Sequence, residues 1–405
     1  MLTRRGRMTF LFGVTVYVVA WAFGSKSLYP VAVGLVLAVL LAWAWIRLAR
    51  RPEALQWGSR RREHIEGDEV QIEIEARLEP GRVPPPATLL EQSVRSLGVR
   101  RTRLERNGDV LSARYRLVGV PRGRYVLRGA RAIMEDPFGL ERAEIKLPGG
   151  STLLVYPRLA ELGELFSDWG AGQPHGRRLL LRRPSGFDFH SVREYVQGES
   201  LRRVHWPSTA KRGELIVKEL EDAPRDEVGV LLDAACPSTG KPPDSSFDTE
   251  VRAAGSILLA HARRGRRALL AVNGEAVEVV RVTAAEDDRA RVLEVLAAAE
   301  PNGRTPAAAL LALDKSPLSG ALELAVVTSK LTRALVDRLV QRTLSHRRTS
   351  LVFVDRRSFT AGGGNGREPG LLHLQAAGIP VAVLRRGDDL AAVLGRQEGV
   401  LSAHG

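Results

Sequence analysis

Few side chains in this sequence are of a type and spacing that could carry chemistry, and most of them fall within residues 186–221, GFDFHSVREYVQGESLRRVHWPSTAKRGELIVKELE. Two histidines, His190 and His205, stand there with Asp188, Glu194 and Glu199, residue types suited to metal binding or acid–base catalysis. The histidines lie fifteen residues apart, which fits no compact ligand pattern, so satisfied polar contacts account for them better. The same stretch pairs forked donors with broad apolar faces. Arg193, Arg202 and Arg203 can grip carboxylates bidentately, and Tyr195 and Trp206 offer rigid contact area. Gly198, Glu199 and Ser200 turn the chain between them. That mixture is the chemistry of an interface. Tyr195 and Trp206 are expected to be partly buried.

Other catalytic constellations fail on inspection. The single cysteine, Cys236, excludes an intramolecular disulfide and any multi-thiolate metal site, and it reads as an inert thiol. No phosphate-binding Gly-x-x-x-x-Gly-Lys, no Gly-x-Ser-x-Gly elbow and no His-Glu-x-x-His occurs. The Gly362-Gly363-Gly364 run has no following Lys and reads as a loop.

The run Gly186-x-Asp188-Phe189, Arg193-Glu194-Tyr195-x-x-Gly198-Glu199-Ser200-x-Arg202, Trp206, Ala210-Lys211 and Leu215-x-Val217-Lys218-Glu219 resembles the bacterial Domain of Unknown Function 58 family. The resemblance implies a membrane-anchored protein with a von Willebrand factor A-like (Rossmann-like) domain, working beside a MoxR-type AAA+ ATPase in assembling or maintaining envelope components. Asp136-Pro137-Phe138-Gly139-Leu140 also resembles the family pattern and reads as a corner with a buried aromatic. Cation-binding von Willebrand A domains place Asp-x-Ser-x-Ser after their first strand, a carboxylate and two hydroxyls that suit a hard ion such as Mg²⁺. Here the sequence is Asp233-Ala234-Ala235-Cys236-Pro237-Ser238. Ala235 and Pro237 occupy the hydroxyl positions, and Lys330 stands where an acid would complete the site. The site around Asp233 and Ser238 therefore reads as degenerate, and no metal or other cofactor is expected.

The elements that must position these residues follow from periodicity. Residues 1–51 form a transmembrane hairpin anchor: apolar runs at 9–23 and 28–46, broken by Gly24-Ser25-Lys26-Ser27 and flanked by Arg4, Arg5, Arg7, Arg47, Arg50 and Arg51. The first run is short against the ~20 residues a helical span needs. Trp43 and Trp45 fall where aromatic rings favour the headgroup level. Residues 57–160 change to a period of two, with strands expected at 70–78, 89–93, 110–117, 123–130 and 151–156, a small β-sandwich. Residues 161–222 are a linker and the motif segment. Residues 223–405 alternate apolar strands with amphipathic helices, an α/β domain built as a doubly wound, mostly parallel sheet.

Two functional classes follow. In the first the chain is not an enzyme but a membrane-anchored interaction protein, its partners the lipid bilayer and the MoxR-like ATPase. In the second it is a metal-dependent hydrolase using Asp233 or the His190/His205 pair. Nucleic acid is not an expected partner: the net charge of +14 lies beside a predicted membrane segment, where anionic lipid accounts for basic residues. Arginines at both outer ends of the hairpin put both termini and the soluble domains on the cytoplasmic face of the inner or plasma membrane. A reporter fused after Gly405 should therefore report cytoplasm, and a cysteine at Ser25 should label from outside. External labelling of the C-terminal fusion would overturn this topology.

Overall fold

The computed structural model describes residues 1–59, 63–81, 83–94, 97–168, 189–194, 204, 206–220, 228–282, 286–313, 316–360 and 368–395. These divide into two units, Met1–Pro157 and Arg158–Gly405. The first begins with α1 (Arg4–Phe23) and α2 (Leu28–Leu48). The short first apolar run becomes a 20-residue helix because the helix starts among the arginines, where the Thr3 hydroxyl accepts from Gly6 N at 3.0 Å. Gly24, at φ +63°, ends it in the left-handed region. Small residues at seven-residue spacing, Gly6, Gly13 and Ala20, are the buried positions of α1, and at Gly13 an added Cβ would press on Val36. A seam of small residues lets two helices approach closely without burying their large side chains. Leu11, Phe12 and Phe23 consequently stay 61–82% exposed. Both helices are long and apolar enough to cross a membrane.

Ten strands follow: β1 (Pro52–Ser59), β2 (His64–Ile65), β3 (Val70–Leu78), β4 (Ala87–Val94), β5 (Gly98–Asn107), β6 (Val110–Leu117), β7 (Gly123–Arg128), β8 (Arg131–Glu135), β9 (Arg142–Lys146) and β10 (Gly150–Tyr156). One sheet runs β1-β3-β6-β5-β4-β8-β9 and a second β2-β10-β7. Alternation in β3 turns Val70, Ile72, Ile74, Ala76 and Leu78 inward, and they share one core with Leu127 and Val155 of the smaller sheet. One expectation fails here. Phe138 is not the buried aromatic of its corner but 76% exposed. Asp136 fills the inside of the turn instead, its carboxylate accepting from Phe138 N at 2.9 Å and Glu141 N at 2.6 Å.

In the second unit β11 (Phe189–Glu194) pairs antiparallel with β12 (Ile216–Leu220), and α3 (Trp206–Arg212) lies between them in sequence. The remaining elements are β13 (Val228–Leu232), α4 (Ser246–Arg263), β14 (Ala268–Asn273), β15 (Val277–Val282), α5 (Glu286–Ala298), α6 (Ala307–Ala312), β16 (Glu323–Thr328), α7 (Arg333–Leu344), β17 (Arg348–Val354), α8 (Pro369–Ala376), β18 (Val381–Leu384) and α9 (Leu390–Leu394). Their sheet runs β15-β14-β13-β16-β17-β18, parallel except for β15. Every residue of β13 is buried, as a strand covered on both faces requires. Val230 and Leu232 face α4 and α9, while Leu231 faces α6, α7 and α8. Truncating one of these leucines to alanine typically costs about 2–5 kcal/mol. Residues 161–168, read from sequence as the head of a linker, and residues 158–160, read as the end of the β domain, belong to this unit. Leu162 and Leu165 join the core under α4, and Ala160 N donates to Ser256 Oγ at 2.9 Å.

At the opposite end of the sheet from Asp233, His261 is buried beside the start of β16. Its Nε2 lies 3.9 Å from Glu323, and Arg266 donates to Nδ1 at 3.2 Å. Burial, opposed by Glu323 and helped by Arg266 and Arg264, lowers its pKa from 6.5 to about 4. The unfolded chain therefore binds a proton that the native state refuses between those values. Stability is full above pH 6.5 and declines as pH falls toward 4, by up to roughly 3 kcal/mol. Denaturant unfolding at pH 7.5 and pH 5 should show that loss, and His261→Gln should remove most of the difference. An equal pH dependence in the variant would assign the loss to other groups.

Candidate functional site

Strand order in the six-stranded sheet reverses between β13 and β16, and the crevice beyond their carboxyl ends is where such sheets place ligands. Five strands deliver polar side chains there: Asp233 after β13, Asn273 ending β14, Thr328 ending β16, Asp355 after β17 and Arg385 after β18. Asp233 is buried, and its carboxylate is occupied. Oδ2 accepts from Thr328 Oγ1 at 2.8 Å, while Oδ1 accepts from Asn273 Nδ2 and from Ala235 N, both at 3.2 Å. Asn273 also donates to the Thr305 carbonyl. Gly303 closes the arrangement from the side. Its N–H donates to Ala234 O at 2.9 Å, and a Cβ there would collide with the Asn273 carbonyl.

A divalent cation fits this set poorly. Hard ions take about six or more oxygen ligands. Asp233 already spends its lone pairs on three donors, Ala235 and Pro237 bring no side-chain oxygen, and Ser238 is exposed on the loop. Ser329 Oγ is buried without a hydrogen-bond partner, but the Lys330 ammonium belongs to the next residue. Among the described residues no group of three or more His, Cys, Asp or Glu side chains could hold a metal ion. Cys236 is buried, and its thiol is pushed up to about 11 by burial and by the charges of Asp233 and Glu250. A thiol so protonated is no nucleophile at neutral pH.

Beside Asp233 the crevice opens into a cleft of ≈ 500 Å³ lined by Thr239, Ser329, Lys330, Asp355, Arg356 and Arg357, among others. Arg356 Nε donates to Thr239 Oγ1 at 3.1 Å, which fixes it against the loop after β13. Arg357 is exposed and only loosely paired, 3.6 Å from Glu368. These basic groups were missed from sequence, although a signal existed. Asp355-Arg356-Arg357 and Arg385-Arg386 each follow an apolar strand directly, the position that puts a charge at the crevice.

The motif residues are only partly placed. Arg193 and Glu194 lie in β11, opposite Val217 and Ile216 of β12, and His190 shares that strand. Trp206 opens α3 and is 63% exposed, not partly buried as expected, whereas Val204 and Ile216 of the same segment are buried. Asp188, Tyr195, Gly198, Glu199, Arg202, Arg203 and His205 lie outside the described residues.

Residues 191–358 match a family described as Protein of unknown function DUF58. No curated relative matches the chain. Among solved structures, a Bacteroides fragilis protein described as a beta-galactosidase is similar at 14% identity over 27% of this chain and 17% of its own, with a TM-score of 0.16. The Pseudomonas fluorescens alkylpurine DNA glycosylase AlkC, bound to DNA containing an abasic site analog, is similar at 13% identity over 33% of this chain and 42% of its own, with a TM-score of 0.15. The chain spans less than half of either, and likenesses so slight carry no argument.

Thr328→Val should leave Asp233 Oδ2 short of a donor and lower unfolding stability by about 1.5–3 kcal/mol, the usual worth of a hydrogen bond to a charged group. Millimolar Mg²⁺ or Mn²⁺ should leave the melting temperature of the full chain in detergent unchanged. A tight site would raise it in proportion to RT ln(1 + [L]/Kd). A metal-dependent rise that Asp233→Ala abolishes would overturn the reading of a degenerate site.

Proposed function

We propose that this chain, a DUF58-family protein across residues 191–358, is a membrane-anchored interaction protein that holds a partner at the cytoplasmic face. The hairpin supports the anchor. A core helix of a soluble protein would be largely covered, whereas only 17% and 22% of the most apolar windows of α1 and α2 are buried. The sheet order, with one antiparallel edge strand and a reversal between β13 and β16, supports a von Willebrand A-like reading of the second unit.

The observation that carries the docking function is the basic cleft at that reversal. Lys330, Arg356 and Arg357 line it with Asp355 and Glu368, and Arg385 stands 4.0 Å from Asp355. Asp355 and the adjoining Asp233 are buried and engaged, and Glu368 is held only loosely, 3.6 Å from Arg357. Such a surface offers forked and point-charge donors to an acidic segment of a partner protein. The MoxR-type AAA+ ATPase implied by the family resemblance is the partner we propose. Exposed Trp206 adds an aromatic contact face on the family motif. A hydrolase would need Asp233 released from three donors, which weighs against that alternative.

Reversing charge at Lys330→Glu/Arg357→Glu should lower co-purification of the ATPase from native membranes at least roughly tenfold, equivalent to about 1.4 kcal/mol, with an unchanged melting temperature. Arg202→Ala/Arg203→Ala, measured on the same scale, separates a docking role of the motif from a bridging one. A docking role weakens capture alone, and a bridging role lowers the melting temperature with it. Undiminished capture by a stable Lys330→Glu/Arg357→Glu protein would remove the cleft from the function.

A further inference from the structure

The β8–β9 hairpin, residues 131–146, climbs along α2. Near the end of β8 Met134 packs with Ile46 and Ala49, and in the turn Leu140 packs with Val39 and Ala42. Those contact points are centred seven residues apart along α2 and its C-cap, so Leu140 lies ~10 Å nearer the middle of the helix than Met134. It has passed Trp43 and Trp45, the aromatic rings that mark the headgroup level. On the other helix the tip meets the first turn of α1. Thr3 Oγ1 donates to Gly139 O at 2.6 Å, Thr3 N donates to Leu140 O at 3.0 Å, and Gly6 has no room for a Cβ against Leu140. The Met1 ammonium pairs with buried Glu141 at 2.7 Å. The tip is therefore fastened to both helices, at the level of Arg4, Arg5 and Arg7.

At the end of this fastened tip stands Phe138, 76% exposed between buried Asp136 and buried Leu140. The turn that presents it is fully specified: Gly139 N donates to Asp136 O at 3.0 Å, and Gly139 sits at φ +67°. An apolar ring held rigidly in water has no structural use, because Leu140 already provides the packing. We infer that Phe138 is an interfacial anchor, inserted into the lipid between headgroups and acyl chains next to the hairpin. It would fix how the β unit stands on the membrane. This rests on the reading that α1 and α2 span a bilayer. Lipid is the occupant the structure favours, since the turn that carries the ring is fastened to two helices whose side chains, Met8, Leu40 and Leu41 among them, are exposed and apolar. Arginines rim the same level, with the Arg47 guanidinium 5.2 Å above the Trp43 ring.

Spin labels give the test. In a Cys236→Ala background, Phe138→Cys, Leu37→Cys and Val118→Cys are labelled in the full chain and reconstituted in phosphatidylethanolamine/phosphatidylglycerol vesicles. Leu37 is 50% exposed on α2, and Val118 is 77% exposed on the β unit. Collision with oxygen should exceed collision with a water-soluble nickel chelate at 37 and at 138, and the order should reverse at 118. A lipid signature at 37 with a water signature at 138 overturns the anchor and leaves the spanning hairpin intact. Water signatures at both overturn both. Protection of 138 from both reagents means that protein covers the ring, a second copy or a partner, and also overturns the inference.

Discussion

A sheet buried on both faces can accept charge only at its two ends, and the second unit is organised by how it does so. The central strand is Val228-Gly229-Val230-Leu231-Leu232, with no polar side chain, and the chain meets its first carboxylate at Asp233. That carboxylate is 4% exposed and would be costly to bury unpaired. Thr328, from the adjacent central strand, answers it at 2.8 Å, so the hydrogen bond ties together the two strands between which the order reverses. Asn273 ties in the third strand, and the Gly303 loop can approach only because it carries no side chain. The carboxylate at the floor of the crevice is thereby fully engaged by hydrogen bonds. The basic rim of the crevice, built from residues that follow strands, is left facing outward.

The first unit solves a different problem. Two apolar helices joined by a tight turn need a rigid attachment if the domain beyond them is to have a defined stance, and a single chain crossing at Ala49 would be a hinge. The β8–β9 hairpin supplies the attachment with apolar contacts to α2 at two heights and hydrogen bonds to the start of α1. Trp45 Nε1 adds a third link by donating to Pro84 O at 3.0 Å, and Arg50 a fourth through Asp109 at 2.7 Å. The Arg50 guanidinium, by hydrogen bond and charge, holds the Asp109 carboxyl below its ordinary range. Each contact is small, but together they span both ends of the hairpin's cytoplasmic side in the proposed topology.

Much of this was legible in the sequence wherever burial imposed a period. The strand at 70–78 alternates strictly and was readable to the residue, and the succession of apolar strands and helices beyond residue 223 was readable as a pattern. What escaped reading had no period to show. β5, Gly-Val-Arg-Arg-Thr-Arg-Leu-Glu-Arg-Asn, is exposed along almost its whole length, so only its partners β4 and β6 make it a strand. The exposure of Phe138 and Trp206 escaped for a related reason. An aromatic residue in a polar context suggests a core, and only the fold shows both rings exposed, with Asp136 filling the turn that Phe138 was expected to fill. The lack of hydroxyls at Ala235 and Pro237 was readable in the sequence. The side chains that engage Asp233, Asn273 and Thr328, lie 40 and 95 residues further on and came together only in the fold.

Two groups of basic residues on the chain have different consequences. Arg4, Arg5, Arg7, Arg47 and Arg51 flank the hairpin, where the proposed bilayer supplies the counter-charge, and their number has no bearing on a protein partner. Lys330, Arg356, Arg357 and Arg385 belong to the second unit and have no such explanation. The buried carboxylates near them are spent, Asp233 on Thr328 and Asn273 and Asp355 on the backbone of Arg357 with Arg385 at 4.0 Å, which leaves Glu368 as the partly exposed one. Exposed pairs such as Arg357 with Glu368 are worth at most about 1 kcal/mol and exchange readily for a better carboxylate. An acidic partner would therefore displace weak surface pairings without exposing a buried charge. The ionic contribution to such binding would be screened by salt, while the buried Asp233 network beneath it would not.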